Sequence, residues 1–396
     1  MTSSNASVPT REELVERAAS LIPLLRRHGA WTEANRRLHE EVVEALADAG
    51  LLRLRVPARF GGYEADTQTL HEVLVQLGRG DASVAWVVSV WAIPGWMVGM
   101  FPEETQKEVY STPDVRVCGT LSPSAMGTPT DGGLIVNGKW GFISGALHSH
   151  WQEIIVMAPS PDGVNPWPVV GLVPTSQLQL IDDWHTSGLQ GSGSITTVAQ
   201  DLFVPNERLV PMPMVLAGQS QSPLNAELPM YRNTLLAVAN AATGGALIGT
   251  ALAAKENFLE RLPSRKITYT SYEHAADAPV THMQIAEASM KIDEADWHAQ
   301  RITKLVDHKG VSGEPWTMEE RARTRADIGS ITKLSREAVD MLANASGGSS
   351  IYTDVPIQRI QRDMLAMSKH AITVPETNFE LYGRILVGLE PNTPYV

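Results

Sequence analysis

The chain has 396 residues, 43% hydrophobic and 19% charged, the proportions of a globular protein with enough apolar mass for two or three packed domains. Its formal charge of −12 excludes the basic face that nucleic acid or an anionic membrane surface requires, which leaves small molecules as the expected partners. A single cysteine, Cys118, excludes an internal disulfide framework and a multi-thiolate metal site, and fits a reducing cytoplasm.

The first twenty residues, "MTSSNASVPTREELVERAAS", lack a positive start followed by an apolar core, so no secretory signal is expected. From Thr10 to about Thr112 apolar residues recur every three or four positions, in "REELVERAASLIPLLRRHGAWTEANRRLHEEVVEALADAGLLRL" and in "TQTLHEVLVQLGRGDASVAWVVSV", a spacing that predicts about four or five helices. "VPARFGGYEAD" (56–66) is a Pro/Gly-punctuated loop between them. The longest apolar run, residues 84–101, is broken by Ser89, Pro94 and two glycines, and reads as a buried helix pair rather than a membrane span.

After Val115 short β-rich runs alternate with Gly, Pro, Asn and Asp: "LIVNGKWGFISG", "WQEIIVMAP", "PVVGLVPTS", "LQLIDDW" and "SITTVAQDLFVP". That texture predicts a compact antiparallel sheet or small barrel. "LAGQSQSPLNAELP" (216–229) reads as a linker. From about Leu235 helical periodicity returns in long runs joined by short loops, which makes a bundle. "QRDMLAMSKHAITVPETN" (361–378) reads as its last helix, with His370 set among small and apolar residues. The expected organisation is a mainly α protein with a central β domain: a helical domain over residues 1–114, a β domain over 115–215 and a helical bundle over 216–396.

Several chemistries lack their motif. No GxGxxG sits between a strand and a helix, so a nicotinamide-binding module is not expected. HExxH is absent, and "GSGS" is not the GxSxG elbow of a serine hydrolase. "HSHW" (148–151) places two histidines two apart on what reads as an exposed turn, a weak metal signal.

The order of helices, sheet and bundle resembles the acyl-CoA dehydrogenase fold over nearly the full chain. "VPARFGG" and "GRGDASVAW" resemble that family's N-terminal helical domain; "CGTLSPSAMGTPTDGGLIVNGKWGFISG" and "GLQGSGSITTVAQDLFVP" resemble its flavin-facing segments; "ANASGGSSIYTDVPIQRIQRD" resembles the bundle segment that reaches a neighbouring subunit's flavin. Many dehydrogenases carry a proton-abstracting glutamate shortly after the Arg-Asp pair, here Arg362 and Asp363; that place falls on Ala371, which cannot take a proton. The residue before it, His370, matches a histidine of the two-component, reduced-flavin-dependent monooxygenases of the same fold. The chain resembles that branch, in particular its aromatic and indole hydroxylases.

The resemblance implies an oxygenase component that receives reduced flavin (FADH2 or FMNH2) from a separate NAD(P)H-dependent reductase, reacts it with dioxygen to a flavin hydroperoxide, and hydroxylates a small aromatic or indole-like substrate. It also implies a cytoplasmic homotetramer. Ser144 and His370 become the candidate catalytic residues, the serine as a contact to the reactive ring nitrogen, the histidine as a stabiliser of the oxygen adduct or as a base toward substrate. Trp86, in "DASVAW", and His370 are candidate substrate contacts. Candidate flavin contacts are Trp140, Ser144, Thr120, Ser122, Ser192, Ser194, Arg265, Gly347 and Gly348, although ordinary turn chemistry accounts for the loop hydroxyls equally well. Gln190 stands where many relatives carry arginine, which leaves the phosphate contact, and the choice of FAD or FMN, open. Two rival readings share the fold: an N-oxygenase of an amino sugar, favoured by a pocket carboxylate, and a flavin dehydrogenase of the acyl-CoA type. A non-catalytic flavin- or acyl-binding scaffold is a third.

Overall fold

The computed structural model describes residues 8–160 and 165–396. Among the described residues six α-helices precede the sheet, more than the periodicity suggests: α1 (Arg11–Ser20), α2 (Ile22–Asn35), α3 (Glu40–Asp48), α4 (Thr67–Gly80), α5 (Ala82–Met97) and α6 (Glu103–Tyr110). Their starts are written in the sequence. Thr10 and Glu13 form a reciprocal capping box on α1, and Asp66 and Asp81 accept the Thr69 and Val84 amide hydrogens at the heads of α4 and α5. The run expected to be a helix pair is one helix, α5, which carries Pro94 inside it and ends in a 3₁₀ turn (Val98–Met100). Pro94 deprives the Val90 carbonyl of its helical donor without stopping the helix, because most of α5 is packed against protein.

Eight strands follow: β1 (Val117–Gly119), β2 (Ala125–Thr130), β3 (Gly133–Ile143), β4 (Trp151–Pro159), β5 (Pro166–Pro174), β6 (Gln179–Ile181), β7 (Ile195–Pro205) and β8 (Leu209–Pro211). They form a sheet of order β6-β7-β3-β2-β4-β5-β8, with β1 paired to β4. The expected antiparallel pattern holds for most pairs, but β4 runs parallel to both β1 and β2. β1, β2 and β8 are short or rich in Gly and Pro, so the sequence pattern does not show them. "HSHW" is no exposed turn: His148 is buried beside Glu40, and His150 Nδ1 accepts the Arg116 amide hydrogen.

The stretch read as a linker is folded, with two short helices, α7 (Met212–Leu216) and α8 (Pro223–Ala226), and a fully buried Asn225 that donates to the Gly99 carbonyl at the end of the 3₁₀ turn. The bundle is α9 (Leu235–Arg261), α10 (Pro279–Ser312), α11 (Met318–Ala345), α12 (Pro356–Met367) and α13 (Pro375–Leu386). α9 approaches α4 through glycine: a β-carbon on Gly249 would lie 2.3 Å from the Val75 carbonyl oxygen and 2.8 Å from the Gly78 Cα. Residues 82–100 and 235–264 are long and apolar enough to cross a membrane by length and composition, but 83% and 94% of those windows lie buried inside the fold. They are core helices whose apolar surface is covered by protein.

The last expected helix, 361–378, is two. α12 ends at Met367, the chain turns through Ser368–Val374, and Pro375 opens α13, since the residue before a proline is pushed out of the helical region. His370 sits in that turn, not on a helix.

Candidate active site

Where α5, the sheet and the bundle meet, they enclose a cavity of about 520 Å³. Among the residues expected at a site, Trp86, Thr120, Ser122, Ser144, His370 and Ala371 all line it. They come from α5, the loop after β1, the end of β3 and the α12–α13 turn, so the convergence depends on the tertiary fold.

Ser144 is held by a hydrogen-bonded chain whose direction can be deduced. Trp86 Nε1–H donates to Ser144 Oγ at 3.1 Å; Ser144 and Ser194 hydroxyls lie 2.7 Å apart, as do Ser194 and Ser192. The far end fixes the polarity, because Ser192 Oγ–H donates to the Leu189 carbonyl at 2.7 Å and a carbonyl has no proton to return. Ser192 must then accept from Ser194, and Ser194 from Ser144. Ser144 spends its own hydrogen on Ser194 and one lone pair on Trp86, which leaves it a single lone pair for the cavity. It is an acceptor there.

His370 faces the edge of Trp86, with ring centroids 5.2 Å apart and planes at 71°. The ring is exposed on the cavity side with protein packed around it, and the resulting desolvation, reinforced by the nearby Arg325 guanidinium, lowers its pKa to about 4. At neutral pH the imidazole is uncharged. Its Nδ1 accepts the Ile372 amide hydrogen at 3.2 Å, which places the ring hydrogen on Nε2. Of the two roles the sequence left open, this tautomer suits donation rather than proton abstraction.

The Arg362–Asp363 pair acts on the loop carrying the serines. Asp363 Oδ1 accepts the Leu189 amide hydrogen at 2.6 Å, and Arg362 bonds the Ser187 carbonyl at 2.8 Å while pairing with Glu33 at 2.5 Å. Burial, together with the neighbouring Asp81 carboxylate, raises the Asp363 pKa to about 7.

Six expected contacts do not line the cavity: Ser192 and Ser194 stand behind Ser144 in its hydroxyl chain, and four others lie elsewhere. Trp140 is fully buried in the sheet, its Nε1–H given to the Ile155 carbonyl, and it does not line the cavity. The pairing of β3 with β7 shifts between Trp140 and Ile143, so the two-residue alternation that would aim Trp140 and Ser144 alike is interrupted. Arg265, Gly347 and Gly348 are also outside the cavity, though together: Arg265 Nη1 donates to Ser349 Oγ, and a β-carbon on Gly347 would meet Arg265 Nη2 at 3.0 Å.

The cavity also holds residues that the sequence did not single out. Phe142 projects into it, 74% exposed, from a backbone with φ of 62° and edge-on to Trp184; a positive φ on a bulky residue is a mark of a functional position that no sequence pattern reveals. Arg325, from α11, is buried with only neutral partners, Asn378 Oδ1 and the Tyr395 carbonyl, and its pKa falls to about 10. Tyr395 closes one side by donating to the Leu121 carbonyl at 2.7 Å. Glu153, on β4, is buried at the cavity wall.

Comparison with known proteins agrees with this geometry. Residues 12–115 match the model of the acyl-CoA dehydrogenase N-terminal domain and residues 241–375 that of its C-terminal domain. The chain is 30% identical over 385 residues to the oxygenase subunit HsaA, a flavin-dependent monooxygenase of Rhodococcus jostii (strain RHA1), covering 95% of this chain and 98% of that one. It is 29% identical over 391 residues to the oxygenase component of an FADH(2)-dependent resorcinol hydroxylase of Rhizobium sp. (strain MTP-10005), with 96% of both chains covered. The structure of XiaF from Streptomyces sp., in complex with FADH2 and glycerol, superposes with a TM-score of 0.91 at 28% identity, covering 98% of each chain. A cavity joining helices, sheet and bundle around Ser144 and His370, on a chain related to these proteins along its full length, places the protein in the family of flavin-dependent monooxygenase oxygenase components built on the acyl-CoA dehydrogenase fold.

Proposed function

We propose that the protein hydroxylates a small aromatic or indole-like substrate in the cavity between α5, the sheet and the bundle, using reduced flavin delivered by a separate reductase. The observation that carries this reading is the polarity of the Ser144 chain. A reduced flavin presents a ring N–H where the oxidised form has a bare nitrogen, and Ser144 offers one free acceptor lone pair. The residues present therefore fit the reduced cofactor. When bound, reduced flavin supplies the electrons and activates the dioxygen from which one oxygen atom passes to substrate.

The protein's own groups do the rest. Ser144 holds the ring edge in register. His370, neutral and with its hydrogen on Nε2, donates to an oxygen that gains negative charge, without offering a proton reservoir that would discharge it as peroxide. The Trp86 ring and the apolar faces of Val90, Ile93 and Leu236 form a wall that seats a planar ring and gives up its water when the cavity fills. Thr120 and Ser122 line the wall beside Ser144 and are assigned to flavin contact, with Arg265, Gly347 and Gly348 serving a neighbouring subunit's cofactor.

A tetramer is supported by a stripe on α10. Met283, Met290, Trp297 and Val311 fall at multiples of seven residues and are 72%, 61%, 66% and 72% exposed, an apolar seam that nothing in one subunit covers. A reducing cytoplasm suits the single buried cysteine, Cys118. Turnover with a reductase, reduced flavin and isotopically labelled dioxygen tests the assignment: one labelled oxygen enters the aromatic product, and a product carrying only solvent oxygen removes it.

A further inference from the structure

Glu153 is bonded neither to the Ser144 chain nor to His370. It stands on β4, opposite Gly119 of β1 in the parallel pairing, so its side chain enters the cavity wall next to the Thr120–Ser122 loop. Its exposure is 1%, its Oε1 is buried without a hydrogen-bond partner, and no cation among the described residues lies within ion-pair distance. An unpaired carboxyl oxygen in such a place is costly, and it calls for a partner that a ligand in the cavity can supply. Burial pushes its pKa well above the carboxylate range, so the group is a neutral acid able both to donate and to accept. The other carboxylate of the cavity, Glu380, is different in kind: it is exposed at the rim and bonded by Asn392 Nδ2. The cavity's cation, the buried Arg325 guanidinium, lacks a carboxylate partner and disfavours a second cation nearby.

We infer that Glu153 is the specificity-determining residue of the cavity, recognising a neutral hydrogen-bond donor on the aromatic substrate, a phenolic O–H or a ring N–H, and that ammonium-bearing substrates are excluded. This rests on the aromatic-hydroxylase reading. A site built around a buried polar group rejects a ligand that leaves it unpaired far more strongly than an apolar wall rejects a mismatch in size.

The test is equilibrium binding to the intact protein without flavin, followed by calorimetry or tryptophan fluorescence, with three probes of one ring size: 2-naphthol, 2-methoxynaphthalene, which lacks the donor, and 2-naphthylmethylammonium. The wild type is expected to bind the naphthol at least about tenfold more tightly than the methyl ether and the ammonium. Glu153→Leu removes the carboxyl, and the naphthol preference falls to about twofold or less. Glu153→Gln, isosteric and able to fold wherever the parent does, keeps part of it. Both variants bind reduced FAD as the parent does. The inference is overturned by equal binding of naphthol and ether to the wild type, by an unchanged ratio in Glu153→Leu, by tighter binding of the ammonium, or by weakened flavin binding in either variant, which would assign Glu153 to the cofactor. Because no turnover is involved, a flat binding panel alongside normal oxygenation sinks this inference alone.

Discussion

The indole N–H of Trp86 lies 3.1 Å from Ser144 Oγ, at the head of a hydroxyl relay whose tail is the Leu189 carbonyl. Ser144→Ala cuts the relay at the cavity, stranding a buried N–H and removing the acceptor. Its product yield per flavin oxidised should drop about tenfold or more, with the lost electrons recovered as hydrogen peroxide. Ser194→Ala leaves Ser144 in place but frees its hydroxyl to rotate, so a smaller, roughly threefold loss is expected. Parent-like coupling in Ser144→Ala would refute the relay's role.

The imidazole of His370 acts as a neutral donor. His370→Gln keeps an N–H and should retain a good part of the coupling, whereas His370→Ala should release most of the oxygen as peroxide, again by about tenfold. Because its pKa lies near 4, the parent's coupling should show no inflection from this residue between about pH 5.5 and pH 8. A step in that range abolished by His370→Gln would show that the charged form matters.

Asp363 and His370 give stability opposite pH dependences. The folded-state pKa of Asp363 is raised to about 7, so between about pH 4 and pH 7 the folded protein binds the extra proton and stability falls as pH rises. The pKa of His370 is lowered to about 4, so between there and about pH 6.5 the unfolded chain binds more protons and stability rises with pH. Asp363→Asn should remove a downward slope of up to about 1.4 kcal/mol per pH unit, read from denaturant midpoints between pH 5 and pH 7. His370→Gln should change the slope the other way and by less, because cavity water reaches the ring. Identical slopes in Asp363→Asn and parent would mean that Asp363 is charged in the folded protein at pH 5.

On α10, Trp297→Glu places a charge in the exposed apolar seam and should break the proposed tetramer into smaller species, a two- to fourfold drop in mass by sedimentation or light scattering, while the subunit keeps its helical content. A variant that stays tetrameric moves the interface elsewhere.

The sequence made some of this legible and hid the rest for physical reasons. β4 falls where its apolar run predicts, because a strand buried on both faces needs that composition. Ser144 and His370 could be paired only through the family resemblance, since 226 positions separate them and only the fold brings both to the cavity. Trp140, expected on the strand leading to Ser144, lies outside the cavity because the pairing of β3 with β7 shifts between Trp140 and Ile143, and that shift leaves no local mark in the sequence. Glu153 was passed over because a lone acid inside "WQEIIVMAP" looks like the polar face of a strand; its isolation is visible only once the fold pairs β1 beside it and buries it. His370 reads as helical from its neighbours, but Pro375 ends that possibility one turn later and sets the ring in a bend.

The most direct measurement mixes the complex of protein and reduced flavin with oxygenated buffer in a stopped-flow spectrometer. If Ser144 and His370 protect the reacting flavin, a transient absorbance distinct from both reduced and oxidised flavin should persist longer than free flavin allows and weaken in Ser144→Ala and His370→Ala. Direct conversion to oxidised flavin, with peroxide released at the rate of free flavin, would contradict that protection.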